Sequence, residues 1–119
     1  MKRDWEIIRQ VLIAVEDDSF NKYLENSEQI SNVVQHTLLL IEAGFLTGSY
    51  EYIFVDDRDK TFNIDGLTWK GHELLDTIRS QPGWGTIKST VLDKGLELTF
   101  DTVKLLGAKA LALIVGNLG

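Results

Sequence analysis

Apolar residues recur at Trp5, Ile8, Leu12 and Val15, a spacing of three and four that puts them on one face of a helix over residues 3–16. Ile7 and Val11 widen that face, while Glu6, Arg9, Gln10 and Glu16 fall mainly outside it. Asp17-Asp18-Ser19 breaks the pattern, and Phe20 to Leu24 fits either a short strand or an irregular link, with the strand expected. Ser27 can cap a second helix over 28–43, with Glu28 in the first turn where the dipole favours an acid. Its expected buried stripe is Ile30, Val34, Thr37, Leu38 and Ile41, with Gly44 as a left-handed stop.

Phe45-Leu46 then leads into a β-hairpin, with strands over 50–55 and 61–64 and a tip from Asp56 to Lys60. A helix over 69–80 buries Leu74, Leu75 and Ile78, and Gln81-Pro82-Gly83 predicts its end. Gly83-Trp84-Gly85 reads as a turn with an aromatic anchor. A short helix over 86–94 follows, with Ile87, Val91 and Leu92 on one side and Gly95 as its stop. Thr99 can cap a last helix over 100–115, apolar around most of its circumference, with Lys104 and Lys109 its only cations.

A helix, a Gly-Phe-Leu turn, a hairpin and a Leu-Thr step into another helix follow the order of a winged helix. The expected fold class is therefore α+β, a winged-helix-like core with two additional C-terminal helices. The helix over 28–43 takes the place of the recognition helix, the hairpin packs beside it as the wing, and residues 1–119 make one domain with 85–119 as a helical extension.

The 119 residues suit one core, and 44% hydrophobic with 25% charged residues is an ordinary globular composition. The absence of cysteine excludes a disulfide framework or a thiolate metal site. Acids at Asp4 and Glu6 stand where a signal peptide needs apolar residues, and the run Ala110 to Val115 is too short to span a bilayer, so the expected home is the cytoplasm without membrane contact. Net charge changes the picture more. Twelve Lys and Arg among eighteen acids give −6, which disfavours a partner bound through phosphates and favours a protein one.

Two stretches, Met1-Lys2-Arg3-Asp4-Trp5-Glu6-Ile7-Ile8 and Leu67-Thr68-Trp69-Lys70-Gly71-His72-Glu73-Leu74-Leu75-Asp76, resemble the signatures of a family of small bacterial and prophage proteins catalogued as a domain of unknown function. The segment from Val34 to Leu46 is similar to the middle of that family. The resemblance covers nearly the whole chain. It implies a winged-helix-like fold and a phage or mobile-element setting, and it implies no activity.

His72 with Glu73, joined by His36, has the chemistry of an acid/base or metal group. Two histidines on separate helices fall short of a zinc set, so a structural, hydrogen-bonded role near the helix start is expected for His72. No Ser, Thr or Cys lies in a nucleophile motif and no Gly-rich loop follows a strand to cradle phosphate, so no enzyme, metal or cofactor is expected. On the outward face of the second helix, Asn32 and Gln35 suit adenine in a major groove, with His36 and Ala43 beside them. Arg58, Lys60 and Lys70 could neutralise phosphates, although Asp56, Asp57 and Asp59 interleave with the first two. Against this, Glu28 and Glu42 share the helix face with Leu39, which suits a protein contact.

By fold analogy the expected function is that of a winged-helix DNA-binding or transcription-associated regulator of phage or prophage type, bound to double-stranded DNA. The alternative is an adaptor that docks a host or phage protein through the same helix or through the last one, at Leu39, Leu106 and Leu113. A homodimer to which the last helix contributes is expected.

Overall fold

The computed structural model describes residues 2–51 and 61–118, the last nine of them as backbone. Among these residues lie six helices and one antiparallel hairpin, so the architecture is α+β. They form two compact units, residues 1–72 and 73–119.

The first unit begins with α1 (Trp5–Glu16), capped by Asp4, whose carboxylate accepts the N–H groups of Glu6 and Ile7. Trp5, Ile8, Val11, Leu12 and Val15 are buried on the expected face. Arg9 departs from expectation. It is buried too, with Glu6 Oε1 at 3.6 Å, so its stem packs inward while the charge is paired at the edge.

Asp18, in the left-handed region at φ 57°, turns the chain into α2 (Phe20–Asn26). This corrects the expected strand. Phe20 is buried and Tyr23 and Leu24 are half-buried, whereas Asn21, Lys22 and Glu25 are exposed, which is the three-and-four spacing of a helix in only seven residues. After Ser27-Glu28-Gln29 comes α3 (Ile30–Glu42). Ser27 Oγ accepts the Gln29 N–H in the turn before it, and Gly44 stops it at φ 86°.

The strands are β1 (Leu46–Glu51) and β2 (Thr61–Leu67), antiparallel, with Leu46 opposite Leu67 and Tyr50 opposite Phe62. Pairing starts nearer the flanking helices than expected, at Leu46 and Leu67, because Phe45 and Leu46 are buried and begin it at once; the expected strand residues 52–55 and the tip 56–60 lie outside the described residues. A bulge separates the Thr47–Gly66 and Gly48–Ile64 pairs. Phe62 meets Phe20 edge-on at 5.6 Å and Tyr50 at 4.7 Å, tying the hairpin to α2. β1 packs on α3 and β2 on α1, so the hairpin does lie beside the helix that ends at Gly44.

Helix α4 (Trp69–Ile78) starts in the first unit and continues into the second, where Leu74, Leu75 and Ile78 are buried as expected. Gln81-Pro82-Gly83 does not end a helix in isolation but opens the next one, α5 (Gln81–Lys94). Ser80 Oγ accepts the Gly83 N–H at 2.9 Å, and proline costs nothing in a first turn whose N–H groups have no helical acceptor. Trp84 is buried on that helix, and Gly95 ends it at φ 63°. Thr99 caps α6 (Phe100–Leu118) through the Thr102 N–H, with Asp101 in the first turn. Among the described residues no helix is long and apolar enough to cross a membrane.

Candidate functional site

Helix α3 contains no Lys or Arg, and its outward face carries Asn32, Gln35, Leu38, Leu39 and Glu42, all exposed. Leu38 and Leu39 are 37% and 39% exposed, enough to be touched by a partner without leaving the fold. The buried side is Val33, Val34, His36, Thr37 and Leu40. Ile30 and Leu38, expected in the core, are therefore misassigned. Ile30 is half-exposed in the first turn, and the helix is rotated toward Val33, His36 and Leu40.

His36 lies on that buried side and is not a surface residue. It is 1% exposed, with Nδ1 2.6 Å from the Asn32 carbonyl and Nε2 2.7 Å from the Asp4 N–H. A backbone N–H can only donate, so Nε2 accepts and Nδ1 carries the proton given to Asn32. The ring is thus a neutral peg joining α3 to the cap of α1, and its expected role as a DNA contact is withdrawn. Of the amides, Asn32 Nδ2 donates to Gln29 Oε1 at 3.2 Å along the exposed surface.

Lys70 is exposed at the end of α3. Its Nζ donates to the Ala43 carbonyl at 3.2 Å and lies 4.6 Å over the Phe45 ring, placing a cation at the C-terminus of α3. Its neighbours complete the junction. Thr68 Oγ1 donates to the Gly44 carbonyl at 2.6 Å and accepts the Gly71 N–H at 3.0 Å, capping α4. A Cβ on Gly71 would meet the Phe45 carbonyl oxygen at 2.0 Å, so this position requires glycine. The Leu-Thr-Trp-Lys-Gly stretch is in this way a fastening between the end of α3 and the start of α4. His72, in the same stretch, is 53% exposed, with Glu16 at 4.0 Å, instead of bonded at the helix start as expected.

Arg58 and Lys60 lie outside the described residues, as does the side chain of Leu113. Leu106, expected at an interface, is buried because it faces inward with Val103 on the second unit's core side. Leu105, one residue earlier, is the exposed leucine at 59%. Leu38 was the residue missed on α3. The run Leu38-Leu39-Leu40 carried the signal, since three successive positions of one helix cannot all face one core.

Beside the first turn of α3, a cleft of about 360 Å³ is lined by Asp4, Glu6, Tyr23, Glu28 and Gln29. Burial, and then the negative charge of Asp4, push the Tyr23 phenol up from its ordinary 10.0. The Asp4 carboxylate caps α1 and Glu6 pairs with Arg9, so these acids are already engaged in the fold. Among the described residues no group of three or more His, Cys, Asp and Glu is arranged to hold a metal ion.

The profile of a family described as hypothetical protein (DUF2513) matches residues 2–97. An uncharacterized protein of Haemophilus influenzae is 33% identical over 114 residues, covering 87% of this chain and 90% of the relative. No solved structure matches.

Proposed function

The chain belongs to the DUF2513 family of hypothetical proteins, and from its surface we propose that it is a winged-helix-like protein-interaction domain. In this reading the α3 face captures a basic, amphipathic segment of another protein. The winged-helix description rests on element order: α1, α2 and α3 precede a hairpin that packs on α3 and α1.

One observation carries the choice of partner. Leu38 and Leu39 are exposed on the outward face of a helix that has no cation and bears Gln35 and Glu42 beside them. An apolar pair rimmed by amides and an acid suits a desolvated protein contact, with Glu28 and Glu42 selecting against acidic partners. The same face disfavours phosphates, since the helix bears acids without a Lys or Arg of its own, His36 is withdrawn into the core and Lys70 stands only at its end, by Ala43. Asn32 and Gln35 are what remains in favour of a duplex.

The test presents the full chain with an amphipathic Lys/Leu peptide and, separately, with mixed-sequence duplex DNA at two salt concentrations. Leu39→Asp is expected to leave the fold intact and to abolish peptide capture. Duplex binding that falls steeply with salt, and survives Leu39→Asp, would restore the DNA reading.

A further inference from the structure

We infer that the second unit is a self-association surface, its partner a second copy of this chain. On α6, Lys104, Leu105, Ala108 and Lys109 are exposed at helical spacing, so an apolar strip lies between two cations. Beside it, a groove of about 320 Å³ is floored by Leu74, Phe100 and Ala108, with Glu73 and Asp76 of α4 on one lip and Lys104 on the other. The two helices approach closely at one point, where a Cβ on Gly107 would meet Thr77 Cγ2 at 2.2 Å.

Charge names the occupant. The strip is basic at Lys104 and Lys109, and the far lip of the groove carries the carboxylates of Glu73 and Asp76, the latter with Arg79 at 3.7 Å. A two-fold axis between the strip and the groove sets the Leu105 strip of each copy against the partner's groove and each pair of lysines against the partner's acids. A surface carrying both complementary halves side by side meets the requirement of an isologous interface. Length agrees as well. Helix α6 has 19 residues, roughly 28 Å of seam, and its sequence from Ala110 to Leu118 contains no charged residue.

Light scattering of the full chain, at a concentration on the order of 100 µM, is expected to give twice 13.4 kDa. Leu105→Glu should give the monomer mass with unchanged helical circular dichroism. Lys104→Glu with Lys109→Glu should weaken the dimer roughly tenfold or more, and adding Glu73→Lys with Asp76→Lys should restore it. The chain has no cysteine, so a Leu105→Cys chain mixed with an Ala108→Cys chain reports contact independently, by forming a disulfide dimer on oxidation. A wild-type mass of 13.4 kDa overturns the inference. So does a dimer that survives Leu105→Glu, a charge swap that fails to restore association, or the absence of the disulfide dimer.

Discussion

His36 Nε2 accepts the backbone N–H of Asp4 at 2.7 Å, joining residues 32 positions apart in the chain. The same ring donates its one N–H, on Nδ1, to the Asn32 carbonyl one turn back, so His36 stands on the core side of α3. Leu38 and Leu39 lie off that side of the helix and stay outside.

His36→Ala should therefore cost stability. It opens a cavity and leaves the Asp4 N–H and the Asn32 carbonyl without their partner, together about 2–4 kcal/mol. Urea denaturation followed by circular dichroism measures it. A loss under about 0.5 kcal/mol would show that the imidazole behaves as a surface group.

The fastening between α3 and α4 makes a second expectation. Gly71→Ala drives a methyl group into the Phe45 carbonyl oxygen and should destabilise by about 2 kcal/mol or more. Thr68→Ala removes the cap of α4 and should cost about 1 kcal/mol, most of it regained in Thr68→Ser, which keeps the hydroxyl. Thermal melts of the three variants check the order; Gly71→Ala melting with wild type contradicts the close approach.

Helices and core in this chain were legible where apolar spacing was long and regular. Trp5, Ile8, Leu12 and Val15 are buried as their period dictates, and so are Leu74, Leu75 and Ile78. The misreadings have separate physical causes. His36 and Arg9 look like surface residues by type, yet one is held by a backbone N–H from another helix and the other packs its stem inward against the fold. Helix α2 is too short for periodicity to outweigh its aromatic content, and Pro82 marks a helix start that resembles a helix end unless Ser80 is recognised as a cap. Asn32, Gln35 and Leu39 were correctly set on the outward face, because a helix surface follows from the turn angle alone once the buried side is roughly known.

Tyr23 supplies a dependence on alkaline pH. Its phenol is raised above its ordinary 10.0, first by burial and then by Asp4, so the fold favours the neutral form. In that window the folded chain binds more protons than the unfolded one, and stability falls as pH rises. The Tyr23 contribution is thus fully present below about pH 10 and lost as pH climbs through the raised value. Tyr23→Phe should flatten this alkaline decline in a denaturation series; an unchanged slope contradicts the shift.

In the function proposed above, the outward face of α3 meets a protein and not a duplex. Isothermal titration of the folded chain and of Leu39→Asp, each with the amphipathic Lys/Leu peptide and with duplex DNA at low salt, tests it most directly. Saturable peptide binding is expected, weakened about tenfold or more by Leu39→Asp, with no salt-sensitive uptake of DNA. Duplex binding retained by Leu39→Asp, with no measurable peptide binding to the wild-type chain, would contradict it.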